Sequence, residues 1–418
     1  MKMKISFIGL GKLGLPLATN FAKNKIEVIA IDKNVKLIEN LSNGKTPWVE
    51  EGLQKNIKKA QGHIEYTTDY SGASETDVSI ILVNTPSIKK DGSFSNLYVE
   101  QSLKELCDNF VKTGKKSHHF ILSSTVMPGS IVESFIPLIE SITGWTINEE
   151  FGFSYIPDFV AIGKIITNFE NPDFLLIGSS SHSYADEAKT LYQTIIKNDS
   201  EIKILTLPEA ELSKVALNAY ITTKISFANY LGMLANKLDP KINIDNVTNT
   251  IGLDKRIGTK YFKAGGPYGG TCFPRDTWAF AKISEKVGMK SDHMIANEKI
   301  NDELVKKIFL SIIEDTPAKI GLVGIGFKPG TSVITEGLAH KLIKKLKRYD
   351  CEIHVYDHLK EETYNNLLSV VGYKDIRYHD DLCQLENTVN TIVYCNDEQY
   401  DMVHCSFTCN KAINPWRI

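Results

Sequence analysis

The sequence has no excess of charge of either sign, few cysteines and no long apolar run. Lys and Arg number 48 against 50 Asp and Glu, a formal net charge of −2, which argues against nucleic acid or an anionic membrane as the main partner. The seven cysteines lack the spacing of a disulfide framework, which favours a reducing compartment. No apolar stretch approaches the roughly 20 residues of a membrane span, and the N-terminal segment has no signal-peptide cleavage pattern. We therefore expect a cytoplasmic protein.

The N-terminal segment combines a short apolar strand, a glycine turn and an apolar-periodic helix. The turn reads Gly9-Leu10-Gly11-Lys12-Leu13-Gly14, and a second strand ends at Asp32. Gly9 permits a tight turn, Gly11 lets the backbone approach a pyrophosphate, and Gly14 lets the helix pack on the strand. The helix N-terminus attracts the anion, and Asp32 can accept hydrogen bonds from the adenosine ribose. This order of features predicts an NAD-binding unit.

Two further strands are predicted over 77–83 and 119–123, and polar residues follow each of them. The first is followed by Asn84-Thr85-Pro86 and the second by Ser124-Thr125. Ligands of open parallel sheets bind at the carboxyl ends of the strands, so these residues are candidates for binding cofactor or substrate. They are equally compatible with ordinary turns.

A long helix is predicted over 209–237, with Lys214 and Asn218 four residues apart and therefore on one face. On a mostly apolar helix such a pair either lines a site or makes structural hydrogen bonds. The segment from Gly265 to Asp276 is rich in glycine and proline and leads into another helix. Pro274 suits a first helical turn, which places Cys272 just before the helix N-terminus, where a thiolate and other anions are favoured. Asp276 could hold a water or relay a proton, while an inert buried cysteine is the alternative.

The last third repeats the first without the complete glycine fingerprint. A strand over 319–323 enters a glycine turn, a helix runs through 347, and a second strand ends at Asp357. The basic run over 344–348 is interpreted as a solvated helix end, where cations suit the dipole. We predict an α/β fold of two Rossmann-like, doubly wound domains joined by a long central helix. The predicted boundaries are 1–205, 206–305 and 306–418.

Eight segments, in this order, resemble those of the UDP-glucose/GDP-mannose dehydrogenase family. They read GLGKLGLPLA, NGKTPWVEEGL, VNTPS, SSTVMPGS, IPDFVAIG with NPDFLLIG, AELSKVALNAYITTKISFAN, GGPYGGTCFPRDT and GIGFKPGT. The resemblance spans nearly the whole chain and implies oxidation of the C6 alcohol of a nucleotide sugar to a carboxylate, with two NAD+ consumed per sugar. It implies a homodimer acting on a UDP-sugar, above all UDP-glucose oxidised to UDP-glucuronate for surface polysaccharide synthesis. The three predicted domains would bind NAD, carry the dimer contact with the catalytic cysteine, and bind the nucleotide sugar.

The resemblance also implies how the oxidation would proceed. Cys272 would attack the aldehyde and carry a thiohemiacetal and then a thioester, which water hydrolyses. Lys214 and Asn218 would polarise the sugar oxygen and stabilise the oxyanion.

Three further residues would serve hydrolysis. Asp276, with Thr125 nearby, would orient the water or assist proton transfer. Asp158 would be the base, although the family usually has the longer Glu at that position.

The binding residues implied by the resemblance come from several motifs. The cofactor set comprises Gly9, Leu10, Gly11, Lys12, Leu13, Gly14, Asp32, Thr85, Pro86, Ser124, Thr125 and Arg275. The substrate set comprises Asp158, Phe159, Val160, Lys214, Asn218, Arg256, Tyr261, Phe262, Lys263, Gly269, Cys272, Phe327 and Lys328.

Ile162, Val333 and Thr335 stand where the family usually has Glu, an acid and Arg. We hypothesise that the missing Glu and Arg formed one charged contact and were lost together, because one charge left unpaired would be costly. Restoring both should then be tolerated better than either single change.

Several other interpretations are compatible with the sequence. A UDP-N-acetylhexosamine 6-dehydrogenase is the nearest, although GGTCFPRDT resembles the glucose class, and a GDP-sugar enzyme is a further one. A two-domain β-hydroxyacid dehydrogenase would need no cysteine, and a sugar-nucleotide sensor would need no catalysis. His404, Cys405 and Cys409 offer only three metal ligands, so no metal site is predicted.

Overall fold

The computed structural model describes residues 3–46, 48, 50–88, 92–160, 163–372, 375–397 and 411–417. The chain divides into two compact units, Met1–Val215 and Ala216–Ile418. The boundary lies inside a 32-residue helix, α8 (Leu207–Leu238). The division into three domains at 205 and 305 stays a prediction.

The first unit is built on an eight-stranded sheet of order β3-β2-β1-β4-β5-β6-β7-β8, parallel except between β6 and β7. Its strands are β1 (Lys4–Ile8), β2 (Glu27–Ile31), β3 (Ile64–Thr67), β4 (Val78–Ile81), β5 (His118–Leu122), β6 (Phe151–Tyr155), β7 (Phe174–Ser179) and β8 (Glu201–Leu205). Its helices before α8 are α1 (Gly14–Lys23), α2 (Val35–Ser42), α3 (Leu53–Ala60), α4 (Leu97–Thr113), α5 (Ile136–Thr143), α6 (Ile165–Glu170) and α7 (His182–Gln193).

Helices cover both faces of this sheet because its strands are apolar on both sides. One hydrophobic cluster contains Phe21 of α1 and Leu191 of α7, and the other contains Phe110 of α4 and Ile139 of α5. The strand order reverses direction between β1 and β4, which is where doubly wound sheets bind nucleotides. The predicted doubly wound fold is confirmed for this unit.

The second unit holds a five-stranded parallel sheet of order β11-β10-β9-β12-β13. Its strands are β9 (Lys319–Val323), β10 (Glu352–Tyr356), β11 (Ile376–Tyr378), β12 (Thr391–Tyr394) and β13 (Lys411–Ile413). Its helices after α8 are α9 (Ile244–Gly252), α10 (Phe273–Lys286), α11 (Asp292–Ile313), α12 (Leu338–Leu346), α13 (Lys360–Val371) and α14 (Leu382–Thr388). A second α/β sheet after a long helix is what the sequence predicts.

Local boundaries differ from the prediction in a few places. β4 and β5 each end before the polar residues that follow them, at Ile81 and Leu122. α10 begins at Phe273, directly after Cys272, so Asp276 lies in its first turn. Cys383 is disulfide-bonded, which the scattered cysteine pattern did not indicate. Among the described residues, no helix is both long and apolar enough to cross a bilayer.

Candidate active site

The glycine turn after β1 has the geometry of a phosphate cradle. Gly9 has φ +96°, and a Cβ there would lie 2.4 Å from the backbone oxygen of Leu82. A Cβ on Gly14 would lie 1.9 Å from the oxygen of Gly9. Around Gly11, in contrast, no protein atom lies within 4 Å of such a Cβ. The protein itself requires Gly9 and Gly14, whereas Gly11 leaves open space for a ligand, so these residues fit a dinucleotide.

Asp32 at the end of β2 is held toward the same turn. Its Oδ2 accepts a hydrogen bond from the Leu10 N–H at 2.8 Å, and its Oδ1 accepts one from the Asn34 N–H at 2.9 Å. The carboxylate remains partly exposed beside the exposed Gly11 and Lys12. Each carboxylate oxygen can accept more than one hydrogen bond, so Asp32 can still accept from a ribose.

The residues after β4 and β5 divide into structural and exposed ones. The Ser124 hydroxyl accepts from the Val83 N–H at 2.9 Å and donates to the Val83 carbonyl at 2.7 Å, so it joins the two strand ends. Thr85 is buried and donates to the carbonyl of Thr125 at 2.6 Å. Pro86 is exposed, and Thr125 is partly exposed.

A buried lysine contacts an acid that is partly exposed but whose Oδ2 atom is buried. Lys214 of α8 donates a hydrogen bond to the backbone carbonyl of Asp158, and its Nζ lies 4.7 Å from the centre of the Phe159 ring. The Oδ2 of Asp158 is buried and, among the described residues, has no hydrogen-bond partner. Burial raises the pKa of Asp158 to about 7, and the nearby Lys214 charge opposes that rise. The neighbouring Val160 is partly exposed. Asp158 is therefore a group that changes protonation near neutral pH.

Glu211 is a residue that sequence reasoning missed. Fully buried on α8, one turn before Lys214, it accepts from the N–H groups of Gly129 at 2.8 Å and Ile131 at 3.0 Å. Burial raises its pKa to about 7, against the two hydrogen bonds. Glu211 therefore positions the segment that follows Thr125. Its place on the apolar face of a long helix was the available signal.

In the second unit, Cys272 occupies the N-cap of α10, as predicted, and its side chain is exposed. The Thr271 hydroxyl lies 3.6 Å from its Sγ. Asp276 closes the first turn by donating its N–H to the Cys272 carbonyl at 2.8 Å. The exposed sulfur at this helix N-terminus is accessible to a ligand.

Asn218 and Asp276 form a buried pair between α8 and α10. The Asn218 amide donates to Oδ2 of Asp276 at 2.6 Å, and Arg275 donates from Nε to Oδ1 at 3.1 Å. Asp276 is only 1% exposed. Thr222, one turn after Asn218, and Thr277, directly after Asp276, are hydrogen-bonded at 2.9 Å. The predicted set of Asn218, Cys272 and Asp276 is thus brought together, with Arg275 engaged by Asp276.

The loop that precedes Cys272 is clamped by residues that the sequence did not single out. Asn229 of α8 accepts from the Gly265 N–H at 2.8 Å and donates to the Gly266 carbonyl at 3.3 Å. Asn301 of α11 binds both the N–H and the carbonyl of Tyr268, at 2.9 and 3.1 Å. Such two-point clamps fix the backbone that precedes Cys272.

The substrate candidates of the second unit occupy different environments. The Phe327 ring packs on Gly270, where a Cβ would lie 2.6 Å from it, and Lys328 lies 5.6 Å from that ring. Gly269 packs equally closely on the backbone of Glu336. The motifs around Cys272 and Phe327 therefore form one surface.

The loop between α9 and Cys272 shows both exposed and buried candidates. Arg256 is exposed and forms a two-point ion pair with Asp254, while Tyr261 has φ +61° and its ring lies edge-on to Phe273 at 6.1 Å. Lys263 forms an ion pair with an aspartate at 3.4 Å. Phe262 is buried and stacks on another phenylalanine at 6.2 Å, an environment typical of a core residue. Ile162, His404, Cys405 and Cys409 lie outside the described residues.

Comparison with known proteins identifies the family. The sequence model of the UDP-glucose/GDP-mannose dehydrogenase family matches with its NAD binding domain over residues 3–196 and with its central domain over 208–303. The chain belongs to this family. Its cofactor is therefore NAD, since the members of this family are NAD-dependent nucleotide-sugar dehydrogenases.

Relatives of this dehydrogenase family differ in the sugar they are named for. The chain is 30% identical to UDP-glucose 6-dehydrogenase of Rhizobium meliloti and 28% identical to GDP-mannose 6-dehydrogenase of Pseudomonas putida, in each case over 85% of this chain and 81% of the relative. A UDP-glucose dehydrogenase structure from Pyrobaculum islandicum matches with a TM-score of 0.89 and 27% identity, covering 100% of this chain and 94% of the other. These relatives share the name of nucleotide-sugar dehydrogenase and differ in the nucleotide and the sugar.

Two alanine substitutions in the glycine turn should have different effects, one on stability and the other on NAD+ binding. Gly14→Ala forces a Cβ against the Gly9 oxygen, so we expect a loss of about 1–3 kcal/mol in the free energy of unfolding. Gly11→Ala meets no protein atom, so unfolding should be unchanged while NAD+ affinity falls by about tenfold, or about 1.4 kcal/mol. Thermal denaturation and NAD+ titration measure the two effects. Unchanged NAD+ affinity in Gly11→Ala would contradict a phosphate-binding turn.

Proposed function

We propose that the protein oxidises the C6 alcohol of a UDP-sugar to the carboxylate, with UDP-glucose as substrate and UDP-glucuronate as product. The observation that carries the proposal is the exposed Cys272 at the N-terminus of α10 beside the buried Asn218–Asp276 pair. A simple alcohol dehydrogenase needs no such nucleophile. The names of the relatives support the nucleotide-sugar class.

The chain's own residues supply the chemistry around two oxidation steps. Bound NAD+ would supply the hydride acceptor for both oxidations, one molecule for each, and the hydroxyl proton of C6 would leave to water. Between these steps the Cys272 thiolate adds to the aldehyde, forming a C–S bond, and the second oxidation leaves a thioester. Water then attacks the thioester carbon, the C–S bond breaks, and the carboxylate and the Cys272 thiolate are released.

The polar side chains would act on charge and protons. The Lys214 ammonium would stabilise the negative charge that develops on the C6 oxygen. The buried Asp276 would hold the amide of Asn218 toward the same oxygen, because the hydrogen bond between them fixes the orientation of that amide. Asp158 would take the proton of the attacking water.

Counting NADH against sugar consumed tests this function. The substrates are UDP-glucose, UDP-N-acetylglucosamine, UDP-N-acetylmannosamine, UDP-galactose and GDP-mannose. We expect two NADH per molecule of UDP-glucose and much slower reaction with the others. Two NADH with GDP-mannose instead would favour the activity named for the Pseudomonas relatives, and one NADH per sugar would contradict a thioester mechanism.

The rate should depend on pH through Asp158. Its pKa of about 7 means that the carboxylate form is present above pH 7 and is lost as the pH falls. If this carboxylate is the base, kcat should fall about tenfold for each pH unit below 7. Asp158→Asn should abolish this fall in kcat, which forms the acidic limb of the pH profile. Because burial also raises the pKa of Glu211 to about 7, Glu211→Gln is the control, and its profile should keep the limb.

We also propose that the protein is a homodimer through α8. Apolar side chains lie exposed along one stripe of this helix, with Tyr220 65%, Tyr230 49% and Leu234 41% exposed. Together with Phe227, which is 52% exposed, they are spaced by seven, three and four residues, which is typical of a helix seam that packs against another helix. The double change Tyr220→Lys and Leu234→Lys should give monomers in sedimentation analysis. Val287→Lys, at a residue 67% exposed beyond α10, should leave the assembly unchanged.

A further inference from the structure

A large basic cavity lies in the second unit, among the C-terminal end of α8, α11 and α12. Its volume is about 940 Å³, and seven of its twelve lining residues are Lys or Arg while three are Asp or Glu. α12 contributes Lys341, Lys344 and Lys345, and α11 contributes Lys306 and Lys307. None of the lining residues belongs to the cofactor or substrate sets implied by the sequence. This cavity is therefore separate, in residue content, from the site described above.

The cations of this cavity are poorly neutralised. In the described part of the chain, its ion pairs join Lys341 and Lys344 to a single carboxylate, that of Glu336, at 3.6 and 3.9 Å. Cations at the end of α12 would suit the helix dipole. That explanation does not apply to Lys306 and Lys307, which lie before the last turn of α11 and line the same cavity. Four unbalanced positive charges in a concave site attract an anion.

The shape and charge favour one class of ligand. A cavity of this volume falls in the range of small-molecule sites. Lysine ammonium groups bind phosphate as point charges, and an excess of several charges suits an anion with more than one phosphate group. A single phosphate or a chloride ion would leave most of the cations unpaired.

Glu336 connects the cavity to the loop that precedes Cys272. Its backbone is in the left-handed region, with φ +55°. A residue other than glycine adopts that conformation at a cost in free energy. Its carbonyl oxygen would lie 2.1 Å from a Cβ on Gly269, and the carbonyl of Thr335 accepts the Gly270 N–H at 3.0 Å. The backbone at Glu336 therefore holds the two glycines immediately before Thr271 and Cys272.

A second connection passes through α11. Tyr268, in the same loop, donates its hydroxyl to the buried carboxylate of Glu298 at 2.6 Å. Burial raises the pKa of Glu298; the Lys341 charge opposes that rise, while Asp302 and Glu336 add to it. Lys341, Asp302 and Glu336 all line the cavity. A change of charge in the cavity is therefore felt by two contacts of the cysteine loop.

We propose that this cavity binds a small anion carrying two or more phosphate groups, and that binding loosens the cysteine loop. The anion would draw Lys341 and Lys344 from Glu336, whose ion pairs are long and therefore weak. Glu336 then loses the contacts that oppose relaxation of its left-handed backbone. The effect on turnover rests on the proposed function, whereas binding and the reactivity of the Cys272 sulfur do not.

Inorganic pyrophosphate is the probe, titrated into the full chain by calorimetry at low salt without divalent cations. We expect saturable binding that weakens at least about tenfold in Lys344→Gln/Lys345→Gln, equal to about 1.4 kcal/mol. The matched control is Lys58→Gln/Lys59→Gln, an adjacent exposed pair in the last turn of α3, which should bind within twofold of the unmodified protein. No binding, or equal binding by all three proteins, would overturn the site.

Alkylation of Cys272 by iodoacetamide, followed by peptide mass spectrometry, tests the coupling. Saturating pyrophosphate should accelerate alkylation at least threefold in the unmodified protein and in the Lys58/Lys59 control, and should leave the rate in Lys344→Gln/Lys345→Gln unchanged. An unchanged rate in the unmodified protein would overturn the coupling. Neither measurement uses a sugar substrate, so a protein that binds pyrophosphate but oxidises no UDP-sugar contradicts the proposed function alone.

Discussion

Replacement of Cys272 by serine is expected to reduce steady-state NADH formation with UDP-glucose by about 10³-fold or more, because no thiolate remains to form the thioester. The side chain is exposed at the N-cap of α10, so the variant should fold with unchanged thermal stability. A pre-steady-state burst of at most one NADH per site should remain, since the first oxidation needs no cysteine. Stopped-flow absorbance of NADH measures both the burst and the steady rate.

The control for this experiment is Cys351→Ser. Cys351 is a free, half-buried cysteine outside the proposed site, so its replacement should leave the rate within about twofold of the original. Full activity in Cys272→Ser would instead favour the β-hydroxyacid dehydrogenase interpretation, in which no cysteine takes part.

Replacement of Lys214 by methionine is expected to have the next largest effect. Methionine approximates the length and the apolar stem of lysine but removes the ammonium group that would stabilise the oxyanion, so kcat should fall about 10²- to 10³-fold. The ammonium also donates to the Asp158 carbonyl and lowers the pKa of the Asp158 side chain. The pH limb assigned to Asp158 should therefore move to higher pH in the same variant, an effect that a purely structural lysine far from that carboxylate would not produce.

Two further variants separate charge from position. Lys214→Arg keeps the positive charge but places a planar guanidinium where a compact ammonium fits, so we expect partial activity and little movement of the pH limb. Lys104→Met, at an exposed position of α4, should leave both kcat and the pH profile unchanged. Equal rates in Lys214→Met and Lys104→Met would contradict a catalytic role for Lys214.

Much of the site could be predicted because its features are local in the chain. The turn from Gly9 to Gly14 and the N-cap position of Cys272 depend on a few consecutive residues, whose backbone preferences are visible in the sequence. Spacing along a helix similarly placed Lys214 and Asn218 on α8. The order of strands and helices was readable for the same reason, since each element follows from its own apolar period.

Other parts of the site could not be predicted, because they depend on contacts between distant segments. Asn229 binds backbone groups 36 residues further along the chain, and Glu211 binds an N–H group 82 residues earlier. The position of Glu211 on the apolar face of α8 indicates burial, but nothing in the local sequence identifies the partner of either residue. The same limit applies to Ser124, whose hydroxyl joins two strand ends, and to Phe262, whose motif position suggested a substrate contact although its ring is buried.

The sequence by itself determined the doubly wound α/β class, the nucleotide-binding turn and the family, and it predicted Cys272 as the nucleophile, because these follow from local patterns. Only the tertiary structure decided which carboxylates change protonation near neutral pH. It also decided how the loop before Cys272 is held and that lysines of α11 and α12 line one cavity. The physical reason is that burial and charge proximity depend on which surfaces pack together. Asp158 and Glu211 have ordinary carboxyl side chains, and packing alone raises the pKa of each to about 7.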